Sequence, residues 1–362
     1  MPSSHLLPQT KPIEGIRENT PQVHALTNAN IVQAPGRALD KGTLVLRDGV
    51  IIAVGAEVAI PADARIWDYS GLTVYPGLIE PYSHLGLPKE KSSERPAPAN
   101  EPAQDQKTGV EHWNERVRPN LNVAEVYQPG EEDLKKLRSL GFTAALIVPD
   151  KGILCGASAL VHLGDGDLSQ QILRANVAQH LALTRASIRN RSRSYPNSLM
   201  GAIALIRQTL LDAQWYEQAN DAYQLKSVGQ KKPETNEALA ALAPVIQRNQ
   251  PVVFEIDNDL NFLRAENVAK EFGLNFMVRG CGEEYRVLEQ IKASGAAIIL
   301  PVNFPETPKV ETPEDALAVT LEELGHWEAA PSNPKWLQET GITFALTTDD
   351  LKNPSDFPGR VR

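Results

Sequence analysis

In the stretch TVYPGLIEPYSHLGLP, residues 73–88, Tyr82 and His84 stand two residues apart behind an apolar run and an acid. Side chains at i and i+2 of a strand leave by the same face, so both rings would be delivered to one end of the strand. That is the order of a strand presenting metal ligands. An imidazole suits the task, whereas a phenol with a pKa of about 10 is a poor ligand at neutral pH. The stretch therefore reads as a metal site in altered form, or as what is left of one. His162 in SALVHLG and His180 in NVAQHLALT read as hydrogen-bonded strand histidines. CGEEY and GDGD carry no phosphate-loop pattern. Cys155 and Cys281 are the only cysteines, which excludes a disulfide framework and a thiolate zinc cluster.

The elements that must position these residues change in kind along the chain. Residues 25–69 read as strands of a small sheet or sandwich. Within them, Asp48-Gly49 sits between two apolar runs as a hairpin turn, because both turn residues need positive φ. From residue 130 helices enter. GEEDLKKLRSLGFTAALIV gives a helix with Leu134 and Leu137 on one face, closed by Gly141 and followed by an apolar strand. Leu199, Ile203, Ile206 and Leu210 recur at helical spacing. Across 251–302, PVVFEID, LNFMVR and AAIILPV alternate with helices stopped at Gly273 and Gly295, the pattern of parallel strands covered by helices. GITFALTTDD adds a last strand. Eight candidate strands from residue 76 onward are the number that closes a (β/α)8 barrel. The connections 89–120 and 303–340 follow the first and seventh of them and would lie at the C-terminal face, as solvated loops or a partial lid.

The chain of 362 residues is long enough for a sizeable core, and 42% hydrophobic with 22% charged residues is ordinary for a soluble globular protein. A net charge of −9 argues against nucleic acid as a partner. No apolar run approaches the roughly 20 residues needed to cross a bilayer, so no membrane partner is expected. The N-terminus lacks the basic start and apolar stretch of a secretory signal. A cytoplasmic location is expected, or a periplasmic or secreted one had a leader been removed. DFPGRVR ends without a cap or polar tail, which suggests a fragment of a longer chain with a second domain.

YPGLIEPYSHLG, behind a small β domain, resembles the opening of the amidohydrolase superfamily, Pro-Gly-apolar-apolar-Asp-x-His-x-His. The likeness is to its imidazolonepropionase-like members and covers essentially the whole chain. It implies a small β-sandwich-like domain over residues 1–75 and a (β/α)8 barrel over 76–362. A C-terminal return that completes the β domain in such proteins is missing here. It also implies a site in which a metal-bound water, its pKa lowered towards about 7, attacks an amide or related carbon while an aspartate takes the proton. Position by position, Tyr82 falls at the first histidine and His84 at the second. No lysine stands on the fourth strand. Glu255 falls where a fifth-strand histidine belongs, with Asp257 expected on the same face. Gly280, next to Arg279, falls at the sixth-strand histidine, and Asp349 at the catalytic aspartate.

The expectation is a depleted metal-ligand set, with His84, Glu255 and Asp349 close together and partly neutralised by Arg279. Buried acids without a metal must protonate or find a cation. Three functions follow. One is a hydrolase of non-peptide carbon–nitrogen bonds using one divalent metal, zinc or a harder ion, on His84, Asp349 and Glu255. The second is a metal-free, non-catalytic relative that binds a small molecule. The third is a scaffolding half of a longer multidomain protein. Fold alone does not choose among them.

Overall fold

The computed structural model describes residues 22–88, 111–184 and 195–361. The expected N-terminal tail and most of the connection 89–120 fall outside them. The chain divides into two compact units, Met1–Gly77 and Leu78–Arg362. Among the described residues no helix is long and apolar enough to cross a membrane.

The described residues of the first unit form one five-stranded sheet built on β1 (Val23–Ala34). β2 (Arg37–Arg47) pairs with it antiparallel, and β3 (Val50–Gly55) pairs with β2. β4 (Arg65–Asp68) and β5 (Thr73–Val74) run parallel to β1. Asp48 and Gly49 take φ of 50° and 77°, the positive values the hairpin turn requires. The expected sandwich-like pair of sheets does not form among the described residues, because all five strands join one sheet and none is left for a second layer.

The described residues of the second unit form ten strands in two sheets. One contains β6 (Leu78–Ser83), β7 (Phe142–Ile147), β9 (Ala159–His162) and β10 (Ile172–Arg174). The other contains β8 (Leu154–Ala157), β11 (Gln179–Leu183), β12 (Val252–Ile256), β13 (Phe276–Arg279), β14 (Ala297–Pro301) and β15 (Phe344–Thr347). From β11 to β15 all neighbours are parallel, as the apolar runs and intervening helices imply. Asn258 caps the helix Asp259–Phe272, and Gly273 ends it at φ 64°, a value that suits a residue without Cβ. Gly295 ends the helix Leu288–Ser294 in the same way.

Two features depart from eight parallel strands. β8 and β9, separated only by Ser158, run antiparallel to β11 and β7, so the third strand position is a bent strand of reversed direction shared between the sheets. The segment 148–153 between β7 and β8 is too short for the helical crossover that a parallel neighbour needs. In addition, no ladder among the described residues joins β15 to β6, so a closed barrel is not formed by strand pairing alone.

The helix Leu199–Leu225 buries Ala202, Leu205, Ile206, Thr209 and Leu210, while Leu199 and Ile203 lie at the edge of that face. The connection after β14 is more ordered than a loop. It carries the helices Pro313–Ala318 and Leu321–Ala329, each opened by a capping box and neither burying a residue.

Candidate active site

β6 turns Glu80 and Tyr82 inward, at 0% and 1% exposure, in the alternation its sequence dictates. The Tyr82 hydroxyl donates to Glu255 Oε2 at 3.1 Å. Glu255 pairs across the ladder with Arg279 on β13. Arg279 Nε and Nη2 donate to Asp349 Oδ2 at 3.0 and 2.5 Å, and Nη2 also reaches Asp350 Oδ2. Its Nη1 donates to the Gly280 carbonyl at 3.0 Å, and the guanidinium lies 5.7 Å from the Tyr82 ring centroid. Tyr82, Glu255, Arg279 and Asp349 thus form one connected group at the ends of four strands. The Arg279 side chain enters this group and not the outer helical layer.

Two histidine rings lie near Tyr82, one exposed and one buried. The His84 ring stands edge-on to it at 5.5 Å, with Nδ1 3.0 Å from the Val148 carbonyl. His180, 2% exposed, stands 5.8 Å from it. Both ring nitrogens of His180 are buried without a hydrogen-bond partner among the described residues. His180 is a strand histidine on β11, but without the hydrogen bond that such a residue usually makes. His162 is exposed, and its Nδ1 accepts from the Gly164 amide outside the group.

Asp257 is engaged elsewhere. Its Oδ1 accepts from the side-chain Nδ2 of Asn258 and of Asn261, each at 2.8 Å, at the start of the helix Asp259–Phe272. There it lines a cleft of about 860 Å³ with Asn258, Asn261, Arg264, Glu283 and Arg286. The shared face expected for Glu255 and Asp257 is lost because β12 ends at Ile256 and the chain turns into the helix cap.

Burial sets the protonation of the group. Desolvation lifts the Tyr82 phenol well above its ordinary range, and the charge of Glu255 adds to this, so the hydroxyl stays a neutral donor. Desolvation also raises Glu255, with Arg279 pulling the other way. It opposes the charge of Arg279 as well, yet Asp349 and Asp350 outweigh it and hold the guanidinium protonated. Burial, helped by His84, lowers His180 to about 3.

Sequence reasoning quoted Glu80 without assigning it a role. Its carboxylate accepts from the Thr347 hydroxyl, from the Thr348 amide at 2.9 Å and from the Tyr82 amide at 3.2 Å. It thereby ties β6 to the end of β15 where the ladder is missing. An acid within an apolar run, in phase with Tyr82 and His84, was the available signal.

These donors do not fit a divalent metal. Among the described residues no three His, Cys, Asp or Glu side chains are placed to hold one. Glu255 is occupied by a neutral phenol, and Asp349 by a guanidinium that already supplies the positive charge.

No protein-family model matches the chain. An imidazolonepropionase from Deinococcus deserti is 41% identical over 46 residues, 13% of this chain and 12% of that protein, so the chain aligns with only a small part of that relative. An amidohydrolase structure from Thermotoga maritima superposes with a TM-score of 0.69 at 18% identity, over 93% of this chain and 81% of that one. A β-aspartyl dipeptidase from Fervidobacterium islandicum, solved with a β-Asp-Leu dipeptide, reaches a TM-score of 0.39 at 13% identity, over 91% and 73%, too distant to carry an argument. The architecture is therefore a mixed α/β fold of amidohydrolase type, and the resemblance read from residues 76–84 holds at the level of the fold.

Proposed function

We propose that the chain is a divergent member of the amidohydrolase superfamily whose two interior sheets make one (β/α)8-type barrel, fastened between its first and last strands by Glu80. Its function on this reading is to bind a small polar molecule at the mouth of that barrel without a catalytic metal. The observation that carries this is the Arg279–Asp349 ion pair, at 3.0 and 2.5 Å. The aspartate that would take a proton from a metal-bound water is instead committed to a buried cation.

Hydrolysis of a non-peptide carbon–nitrogen bond is the second reading. It is favoured by the amidohydrolase fold and by His84 and Asp349 standing at positions of the hydrolytic pattern. It requires Arg279 to release Asp349. Metal analysis of protein purified without chelator, together with assay on linear and cyclic amides, separates the two. Stoichiometric metal that disappears in His84→Ala, with amide turnover, establishes the second reading and overturns the first. Metal-poor, inactive protein that still binds small polar ligands supports the first.

A further inference from the structure

None of Tyr82, Glu255, Arg279 and Asp349 lines the cleft of about 860 Å³, which lies at the starts of the helices Leu199–Leu225 and Asp259–Phe272 and beside the loop after β13. Among the described residues its charged side chains are Asp257, Asp259, Glu283 and Glu322 against Arg264 and Arg286. Most of these are matched. Arg286 donates through Nη1 to Glu322 at 3.0 Å and through Nε to the Tyr285 hydroxyl at 3.2 Å, with Glu283 3.8 Å from Nη2. Asp257 is held by the side chains of Asn258 and Asn261. Arg264 and Asp259 line the same cleft and enter no ion pair among the described residues. Arg264 is nevertheless held in place, because its Nη1 donates to Asn261 Oδ1 at 2.7 Å. Asn261 is 2% exposed, and its Nδ2 donates to the Leu183 carbonyl at the end of β11 and to Asp257, each at 2.8 Å. A buried amide thus fixes one nitrogen of the guanidinium. The Nε–Nη2 edge, the planar fork that matches a carboxylate, is left without a partner among the described residues.

We infer that this cleft binds a small zwitterion, its carboxylate on the Nε–Nη2 edge of Arg264 and its ammonium on Asp259. A simple anion is disfavoured there, because the acids lining the cleft outnumber the arginines and repel a further negative charge. A phosphate, with nearly two charges, is disfavoured more. An ammonium on the same molecule offsets that repulsion and meets Asp259, whose Oδ1 takes the Leu260 amide at 2.9 Å and whose Oδ2 makes no hydrogen bond among the described residues. Leu199 and Leu260 add apolar lining suited to an aliphatic linker between the two charges. The volume is that of an ordinary small-molecule site, roughly 300–1,000 Å³. The inference does not rest on the reading of the barrel mouth and stands whether or not that group holds a metal.

The test is isothermal titration calorimetry with three probes. ε-Aminocaproate carries both charges at the ends of an aliphatic chain, whereas caproate and hexylamine carry one each. The wild type is expected to bind ε-aminocaproate about 10-fold or more tighter than either, the difference that one further charge-assisted hydrogen bond makes. Arg264→Gln and Asp259→Asn are each expected to weaken ε-aminocaproate by about 10-fold or more. Caproate separates the two roles: Asp259→Asn removes a repelling charge and should tighten its binding, while Arg264→Gln should abolish it. Arg264→Lys keeps the charge and gives up the fork, so its affinity for ε-aminocaproate should fall between those of the wild type and Arg264→Gln. If Arg264→Gln does not accumulate folded, Arg264→Lys and Asp259→Asn carry the comparison. No binding of ε-aminocaproate by the wild type up to ~10 mM overturns the inference. So does equal affinity for ε-aminocaproate and caproate, or an ε-aminocaproate affinity untouched by the Arg264 or the Asp259 substitutions.

Discussion

At Tyr82 the chemistry turns on one proton. A phenol lifted far from ionisation by burial and by Glu255 acts as a donor, and Glu255 as its acceptor. Tyr82→Phe keeps the ring and removes the donor, leaving a buried carboxyl short of a partner. A loss of about 1–3 kcal/mol in urea unfolding is expected; no change in midpoint would mean the hydrogen bond is not formed in solution. His180 makes a prediction with a pH sign. In the folded chain its imidazole stays neutral down to about 3, while in the unfolded chain it takes a proton near the ordinary 6.5. Between those values the unfolded state binds the extra proton, so acid favours unfolding. Glu80 and Glu255 work the other way: carboxyls raised by burial hold protons in the folded state first, so falling pH favours folding as it passes their raised values. The difference between wild type and His180→Leu isolates the histidine. Relative to that variant, the wild type should lose up to about 1.4 kcal/mol per pH unit as pH falls from 6.5 towards 3. Parallel stability curves for the two proteins would mean that the imidazole finds a partner in solution. The inward direction of Tyr82 was legible because strand alternation fixes the direction of a side chain, whereas His84 falls past the end of β6 and is exposed. The isolation of His180 was not legible, since a sequence does not state what stands opposite a ring.

Among the elements, strands and helices were readable and their directions were not. The Asp48-Gly49 hairpin and the units across 251–302 rest on turn chemistry, caps and apolar runs, all local in sequence. Apolar runs say that a strand is buried but not which way it runs, so the reversed third strand was missed. Its short connection, 148–153, was the evidence against a parallel neighbour. The hydrogen bonds between β6 and the end of β15 run through the Glu80 side chain instead of a ladder, which makes one carboxylate a structural element. In Glu80→Gln one of the two carboxylate oxygens becomes an amide nitrogen and faces a donor where an oxygen accepted, the Tyr82 amide at Oε1 or the Thr348 amide at Oε2. The expected cost is about 1–3 kcal/mol. Faster hydrogen exchange at the Tyr82 and Thr348 amides should accompany it, with the helix Asp259–Phe272 unaffected. Uniform acceleration across both regions would show that Glu80 contributes only to global stability.

For the molecule as a whole, the fold was within reach of the sequence and the chemistry was not, for one physical reason. A fold is specified redundantly, by many apolar runs and caps, so the amidohydrolase architecture survives the replacement of individual side chains. A metal centre depends on a few donors, and exchanging two of them changes what the site holds. If the wild-type protein kept a divalent ion as part of its folded state, binding at 1,000-fold saturation would contribute about 4 kcal/mol, and stripping the ion would lower the melting temperature of a chain this size by several degrees. With Arg279 supplying the charge, dialysis against EDTA and return of Zn²⁺, Mn²⁺ or Mg²⁺ should each leave the melting curve where it was, to within about 1 °C on the same scaling. The informative comparison is His84→Ala measured beside the wild type. An EDTA-dependent drop present in the wild type and absent in the variant would place an ion on His84 and return the protein to the metal-dependent hydrolases. Two curves equally indifferent to chelator leave the buried ion pair as the cation of this site.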